Sequence, residues 1–335
     1  MPLPGSNEWR TLIKEDILEP ARPIIDPHHH LWPTATRWGS YSLEDLWSDT
    51  MTGHNIEKTV FIDCGASYRT DGPVHLKPCG ETEYVRLNAE ASAKETEKTR
   101  IAGIVGHANL ALPPAQLEEV LAEHERAGGG LFRGIRHAGP HDDTGTLLNP
   151  GTRGPGLYLK PEFQAGVRTL GRLGYSFDTW HFFHQNRDYL TLAQSAPETV
   201  MILDHFGTPL GVGPYSGRRA EIFETWKADM AEIAKCPNVI AKLGGMAMPD
   251  NSYGWHTRGI PPSSDEFVKA QRDWYLYTID CFGPDRCMFE SNFPVDKMSI
   301  HYPILWNAFK KIAAGFSEAE KQAMFYGTAA RVYRV

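Results

Sequence analysis

Residues 23–32 read Pro-Ile-Ile-Asp-Pro-His-His-His-Leu-Trp, a short apolar run that leads directly into three consecutive histidines. In an extended strand alternate side chains share a face, so Asp26, His28 and His30 point to the same side. His29 then points to the other side. Two imidazoles at positions i and i+2 of a strand end can converge on one metal ion. An isolated His-x-His pattern is also typical of an ordinary polar strand end, so its interpretation depends on the rest of the chain.

The length and composition limit the fold class. The chain has 335 residues, which suits two average domains or one large α/β barrel. Its hydrophobic content of 41% and charged content of 22% are those of a globular protein with a well-buried core. The formal net charge is −7 and no basic cluster stands out, which argues against a nucleic-acid or anionic-membrane partner.

The cysteines and the chain start bear on the cellular compartment. The five cysteines are scattered and form no Cys-x-x-Cys pair, which favours reduced thiols over a disulfide framework or a zinc ribbon. Residues 1–16 are polar and lack the apolar core of a signal peptide. No run of apolar residues is long enough to span a membrane. We therefore expect a soluble, cytoplasmic protein.

Apolar runs that end in polar residues predict eight strands, with helices between them. After the first strand, which enters the three histidines, the predicted strands are Ile56–Gly65, Arg100–Leu110, Leu131–Gly139, Tyr175–Phe183, Thr199–Gly207, Asn238–Gly245 and Arg286–Phe293. This alternation predicts a (β/α)8 barrel over residues 23–335. Residues 1–22 are predicted to be an arm that wraps the barrel or a neighbouring subunit, or else a disordered tail. A doubly wound open sheet is the alternative fold, but no Gly-x-Gly-x-x-Gly follows any strand.

Polar side chains concentrate at the predicted strand ends, where a barrel of this kind builds its active site. They are Asp26, His28, His30, Asp63, Cys64, Arg133, Arg136, His137, Asp178, His181, His184, Asp204, His205, Lys242, Glu290 and Asn292. Any one of them alone is typical of a structural cap, but their presence on so many strands predicts a site. Aromatic residues in the same loops indicate either apolar pocket walls or plain packing; they are Trp32, Trp38, Tyr41, Trp47, Tyr68, Trp180 and Trp255.

Residue chemistry assigns roles to some of these candidates. His205 is preferred to the adjacent Asp204 as a metal ligand, because imidazole suits zinc, iron and manganese alike. Asp26 is predicted to orient a ligating imidazole. Arg136 is predicted to bind a substrate carboxylate through two hydrogen bonds, with a salt bridge to a loop acid as the alternative.

Side-chain alternation constrains two further pairs. His181 and His184 lie three residues apart, so a straight strand cannot point both of them inward, and one is expected in the following loop. Glu290 and Asn292 share a face and can point into the same pocket.

Four segments resemble the amidohydrolase-related proteins. They are Asp26–Trp32 (Asp-Pro-His-His-His-Leu-Trp), Phe132–His137 (Phe-Arg-Gly-Ile-Arg-His), Leu203–Gly207 (Leu-Asp-His-Phe-Gly) and Phe289–Pro294 (Phe-Glu-Ser-Asn-Phe-Pro). Within that family the chain is similar to the branch of sugar-lactone and muconolactone-type lactonases and pyrone-dicarboxylate hydrolase. As a set the motifs are specific for the superfamily and weak for the substrate.

The resemblance implies a barrel in which His28 and His30 bind metal. It also implies His205 as a ligand from strand six and a histidine of the Trp180–Gln185 segment from strand five, for which we take His184. The family's general base is an aspartate at the end of strand eight, where this chain has Asn292, which cannot take a proton from water. Glu290 stands where lactonases of this branch usually have a glycine, and is predicted to be the replacement base or an additional ligand.

Three functions follow from this reading. The first is a metal-dependent hydrolase that acts on a small carboxylated lactone, ester or amide, with one or two zinc, manganese or iron ions per chain. The second is an oxygenase with a dinuclear Mn/Fe or Fe/Fe centre, suggested by Glu290 and by the missing aspartate. The third, suggested by Asn292 alone, is a non-catalytic binding protein or partner subunit. A homo-oligomer is expected in each case.

Overall fold

The main sheet of the protein closes into a barrel. The computed structural model describes residues 2–36, 39–148, 151 and 154–335. Eight parallel strands neighbour one another in chain order: β1 Pro23–His29, β2 Asn55–Ile62, β3 Arg100–Gly106, β4 Phe132–Arg136, β5 Ser176–Thr179, β6 Met201–Leu203, β7 Val239–Leu243 and β8 Cys287–Phe289. A parallel bridge between His29 and Phe293 joins β1 to the segment after β8, and the His30 N–H donates to the Phe293 carbonyl at 2.9 Å. The predicted (β/α)8 barrel is confirmed.

Helices follow the strands around the outside of the barrel. The longer ones among the described residues are Leu43–Thr50, Cys79–Ser92, Pro114–Gly128, Pro161–Arg172, Asn186–Ser195, Arg219–Ile233, Ser264–Phe282 and Tyr302–Ile312, and the shorter ones are Asn7–Arg10, Glu318–Gln322, Ala323–Gly327 and Thr328–Tyr333. Local chemistry sets their ends. Ser42 and Asp45 form a reciprocal capping box at the first long helix, and Gly129 ends the Pro114–Gly128 helix in the left-handed conformation.

The inside of the barrel is packed, so the strands enclose a core and not a channel. Branched and sulfur-containing side chains of alternate strand positions form one cluster, namely Ile25, Val60, Ile62, Val105, Ile202, Ile240 and Met288. The last helix, Thr328–Tyr333, joins this cluster through Ala329, Val332 and Tyr333. Just before that helix, Tyr326 lies under the ammonium of Lys58 near the start of β2, so the C-terminal segment covers the end of the barrel where the strands begin.

Two differences between the structure and the sequence-based strands affect the strand ends near His30 and His205. Trp32–Thr36 and Gly39–Tyr41 form an antiparallel hairpin that the sequence analysis missed, and Trp38 lies outside the described residues. The predicted strand Thr199–Gly207 is shortened to β6, because His205 and Phe206 turn into the left-handed region at φ 53° and 58°. That turn breaks strand alternation and lets His205 reach the same side as Asp204.

The N-terminal residues lie on the barrel's own helices. The indole N–H of the buried Trp9 donates to the Arg258 carbonyl at 2.7 Å. Glu15 accepts a hydrogen bond from the Ser264 backbone N–H at 2.8 Å. In the part of the chain that the structure describes, no helix combines the length and apolar character that crossing a bilayer requires.

Candidate active site at the strand C-termini

A cavity of about 520 Å³ opens at the ends of the strands. Its lining comes from the segments after nearly every strand, and includes His30, Trp32, Asp63, Tyr68, His107, Arg136, Trp180, His205, Asp250 and Asn292. Of the aromatic residues predicted to border a pocket, Trp32, Tyr68 and Trp180 do so. Tyr41, Trp47 and Trp255 are not among the lining residues; the Trp47 indole donates to the Thr99 carbonyl instead.

Glu290 ties two histidines together at the base of this cavity. Its Oε1 accepts a hydrogen bond from Nδ1 of His205 at 2.6 Å, and its Oε2 lies 2.7 Å from Nδ1 of His28. All three side chains are buried, and the two imidazole centroids are 4.6 Å apart. Because Nδ1 of His205 donates to the carboxylate, its Nε2 is left as the nitrogen that can bind a metal ion.

Lys242 places a fully buried ammonium in the same cluster. Its Nζ lies 3.1 Å from Asp204 Oδ1, 3.2 Å from His28 Nδ1 and 3.9 Å from Asp178 Oδ2. Burial lowers the pKa of Lys242, but the surrounding carboxylates Asp178 and Asp204 outweigh burial, and the pKa ends above its usual value. Lys242 is therefore a fixed positive charge within the site.

The buried acids of the cluster have raised pKa values. Burial raises the pKa of Glu290 to about 7, with Lys242 opposing the shift. Burial also raises the pKa of Asp178 to about 7, and it raises that of Asp204. Negative charge in the cluster exceeds what Lys242 and Arg136 neutralise, so the site favours uptake of a further cation or of protons.

The donor set fits one divalent metal ion. The ligating atoms of His28, Asp204 and His205 all lie within 4.8 Å of one another. Within the described residues, three carboxylate oxygens of the cluster have no hydrogen bond of good geometry: both oxygens of Asp204 and Oε2 of Glu290. Lys242 lies close to Asp204, and His28 lies close to Glu290. Imidazole together with carboxylate suits zinc, manganese or iron.

Carboxylates outnumber the cations at the base of the cavity. The carboxylates of Asp63, Asp178, Asp204 and Glu290 all lie within 4.0 Å of Lys242 or Arg136. Fully ionised, these four carboxylates would exceed the two cations by two negative charges. Burial raises the pKa values of Asp178, Asp204 and Glu290, which reduces this excess at neutral pH.

Comparison with known proteins identifies the family of the chain. The family model of the amidohydrolases matches residues 25–335. The chain belongs to the amidohydrolase family.

Relatives of this amidohydrolase include a named lactonase. This chain is 29% identical over 270 residues to L-fucono-1,5-lactonase of Burkholderia multivorans, and the match covers 78% of this chain and 82% of the relative. It is 33% identical over 334 residues to protein y4mH of Sinorhizobium fredii, covering 93% and 98% of the two chains. A crystal structure of an amidohydrolase from Burkholderia multivorans with bound zinc superposes with a TM-score of 0.72 at 25% identity, covering 93% and 99% of the two chains.

The amidohydrolase histidines of β1 lie where the sequence placed them. His28 joins Glu290 in the buried cluster, and the ring of His30 is 5.0 Å from that of His28. His30 borders the cavity, stacks on Trp32, and donates from Nδ1 to the Ile62 carbonyl at 2.8 Å, which leaves Nε2 free to accept. His29 faces the other way and packs on Phe61.

The strand-five histidines are not brought to this cluster, which corrects the assignment of His184 as a metal ligand. β5 ends at Thr179, and its inward positions hold Asp178 and, beyond the strand, Trp180. His184 is exposed, contacts the His141 carbonyl at 3.0 Å and stacks on Tyr215. The buried His181 instead pairs with Asn186, Nε2 to Oδ1, at 3.0 Å.

The geometry bears on two further predicted roles. Among the described residues, the Asp26 carboxylate accepts hydrogen bonds from the backbone N–H groups of Ser291 at 2.9 Å and His28 at 3.4 Å and from the Tyr302 hydroxyl at 2.9 Å, and from no imidazole. Asp26 therefore anchors the segment after β8 to β1 and does not orient an imidazole directly. Arg136 lines the cavity, but its guanidinium donates to the Asp63 carbonyl and lies 3.8 Å from Asp204 Oδ2. Its Nε makes no hydrogen bond among the described residues, so carboxylate binding by Arg136 stays a prediction, although its nearness to Asp63 and Asp204 favours the ion-pair alternative.

Glu290 and Asn292 do not point into the same pocket, contrary to the prediction from strand alternation, because β8 ends at Phe289, before both residues. Glu290 lies behind His28 and His205 and is not among the cavity-lining residues, so it acts on the site through the imidazoles and not as a base in contact with cavity water. Asn292 borders the cavity in the left-handed conformation, at φ 55°, and its Nδ2 donates to Asp296 at 2.9 Å.

Two site residues, Lys242 and Asp63, were noted at strand ends by the sequence analysis but were given no role. Lys242 follows the interior Ile240 by two positions, so strand alternation alone points it inward. Asp63 borders the cavity and accepts from the Tyr68 hydroxyl at 3.2 Å. Burial raises its pKa, but His107 and Arg136 outweigh burial and keep the pKa below the usual value. Asp63 is therefore an ionised carboxylate that faces the cavity.

Proposed function

We propose that this amidohydrolase hydrolyses a small hydroxylated lactone in the strand-end cavity, with one divalent metal ion held by His28, Asp204 and His205. The observation that carries the proposal is the Glu290 carboxylate bound to His205 Nδ1 beneath a cavity bordered by His205 itself. The lactonase name of a relative that matches 78% of the chain supports the substrate class. The zinc in a structural neighbour supports the metal.

The chain's own groups have separable tasks in this proposal. His28, Asp204 and His205 would hold the divalent ion, which would supply Lewis acidity for the lactone carbonyl. Glu290 fixes the His205 ring and raises its basicity through Nδ1. Arg136 and Lys242 give the base of the cavity a positive potential that favours the negative charge developing on the carbonyl oxygen.

The cavity walls indicate how a hydroxylated ring would be held. Trp32 and Trp180 offer aromatic faces, and Asp63 offers an ionised carboxylate that accepts hydrogen bonds from hydroxyl groups. Because the Arg136 guanidinium already lies 3.8 Å from the carboxylates of both Asp63 and Asp204, we favour hydroxyl groups over a carboxylate as the substrate's recognition elements.

We do not extend the proposal to a dinuclear oxygenase. The named relatives that the chain matches are lactonases, and no observation of the site's described residues favours a second metal ion. We also do not favour the third alternative, a non-catalytic protein, because it does not explain why a buried Glu290–His205 pair lies beneath the cavity.

The experiment is a titration of metal-stripped protein with zinc or manganese while the opening of L-fucono-1,5-lactone and related aldonolactones is followed with a pH indicator. The proposal expects activity that rises to a plateau at one equivalent of metal per chain. Asp204→Asn should weaken metal binding, while His184→Ala, the matched control, should not. Activity on no lactone at any metal content would overturn the proposed substrate class.

A further inference from the structure

The C-terminal helix reaches the charge cluster from the opposite end of the barrel. Tyr333, two residues before the end of the chain, is fully buried. Its hydroxyl donates to the Asp178 carboxylate, at 2.8 Å from Oδ2 and 3.0 Å from Oδ1. Its ring centroid lies 5.5 Å from the Lys242 ammonium. Tyr333 thus lies against the buried lysine and is hydrogen-bonded to Asp178, one of the carboxylates near that lysine.

Lys242 lies between two carboxylates that are not equivalent. Its Nζ is 3.1 Å from Asp204 Oδ1 but 3.9 Å from Asp178 Oδ2. Within the described residues, the side-chain hydrogen bonds to Asp178 come from the Tyr333 hydroxyl. A buried carboxylate without a donor takes the nearest one available, because an unpaired buried charge is costly.

We propose that Tyr333 is a positioning residue, whose hydroxyl occupies Asp178 and thereby keeps the Lys242 ammonium against Asp204 and His28. Without the hydroxyl, Asp178 draws the ammonium into a direct salt bridge and away from Asp204. The base of the cavity then loses part of the positive potential that the reaction needs. The activity readout rests on the proposed lactonase function, whereas the position of the ammonium does not.

The test is Tyr333→Phe, which keeps the ring and removes the hydroxyl. We expect a crystal structure in which the Lys242–Asp178 distance has shortened to about 2.8 Å, the length of a direct charged hydrogen bond, and the Lys242–Asp204 contact has lengthened. We expect kcat to fall about tenfold with KM within twofold of wild type, since an effect confined to the transition state lowers kcat alone. An ammonium that stays on Asp204, or an unchanged kcat, would overturn the proposal.

A double-mutant cycle isolates the competition for Asp178. In Asp178→Asn there is no carboxylate to attract the ammonium, so adding Tyr333→Phe should change kcat by less than about twofold, since coupled residues give non-additive effects. Effects that multiply independently would contradict the mechanism. If the wild-type protein opens no lactone, the proposed function fails, and the crystal structures alone decide this inference.

The chain offers a matched control outside the site. Tyr41 donates to Asp49 at 2.8 Å, Lys297 lies 2.8 Å from the same carboxylate, and its Nζ is 4.8 Å from the Tyr41 ring centroid. Tyr41→Phe therefore removes a buried hydroxyl from an equivalent tyrosine–aspartate–lysine group. It should lower Tm about as much as Tyr333→Phe while leaving kcat unchanged. Equal losses of kcat in both variants would show that Tyr333 has only a structural role.

Discussion

Glu290 and His205 share a hydrogen bond of 2.6 Å between Oε1 and Nδ1, in a region where neither side chain is exposed to bulk water. The second carboxylate oxygen lies 2.7 Å from His28, so one acid holds imidazoles from the first and sixth strands of the barrel. This acid lies two residues before Asn292, which occupies the position of the family's expected aspartate. The site is therefore built on a carboxylate that orients histidines and does not face the cavity.

Glu290→Gln should lower kcat/KM about 10- to 100-fold, the usual cost of removing an acid that orients a ligating histidine. The amide oxygen cannot supply the charge, and the amide nitrogen opposes one of the two Nδ1 contacts. Steady-state kinetics on the lactone that the wild-type protein prefers measures this. Glu232→Gln, at an exposed ion pair with Lys235, is the control and should match wild type. Full activity in Glu290→Gln would show that the reaction does not need the Glu290 carboxylate.

Lys242→Met should destabilise the fold by about 3–5 kcal/mol, because it leaves buried carboxylates without their cation. Urea unfolding followed by circular dichroism gives the free energy. Lys235→Met removes an exposed ammonium from a surface pair and should cost less than about 0.5 kcal/mol. A Lys242→Met variant as stable as Lys235→Met would show that the acids of the cluster are protonated in the folded state and need no cation.

His184→Ala should retain the metal content and the kcat/KM of the wild-type protein within about twofold. Its ring is exposed and stacks on Tyr215, away from the histidines of the cavity. Elemental analysis and kinetics of His184→Ala and His205→Ala, prepared in parallel, decide the point. Loss of metal from His184→Ala would restore it as a ligand and would require a rearrangement of the segment after β5.

The barrel was predictable because its signals are local. Each strand is a short apolar run that ends in polar residues, and the strands alternate with amphipathic helices. The pair His28 and His30 followed from strand alternation, and so did the inward side of β1. The sequence also placed Glu290 beside the histidines, through its position at the end of the eighth strand.

The sequence-based predictions failed mainly for residues that lie beyond the end of a strand or that contact residues distant in sequence. His205 reaches the site through a left-handed turn that no alternation rule describes. His184 was selected from a segment whose strand stops at Thr179, so parity no longer applied to it. The hydrogen-bond partners of Arg136 and Asp26 could not be predicted, because Asp63, Ser291 and Tyr302 are distant from them in sequence. Tyr333 gave no sequence signal at all, because only the closed barrel brings the chain end to Asp178.

Asp296 should make stability depend on pH. It is buried beneath Asn292, and burial raises its pKa to about 8, against an unfolded value of about 3.9. The folded state therefore binds one more proton between these two pH values, and the carboxyl's contribution to stability is lost as pH rises towards 8. Relative to Asp296→Asn, the wild type should lose up to about 1.4 kcal/mol per pH unit over this range. Urea unfolding of both proteins at several pH values measures the difference, and a difference independent of pH would contradict it.

The most direct test of the account is the rate of L-fucono-1,5-lactone opening by wild-type protein and by His205→Asn, each supplied with one equivalent of zinc or manganese. The account predicts turnover by the wild type well above the spontaneous rate. It also predicts at least a hundredfold loss in His205→Asn, whose side chain lacks the imidazole that Glu290 orients. Equal rates in the two proteins would place the chemistry outside this cavity and contradict the account.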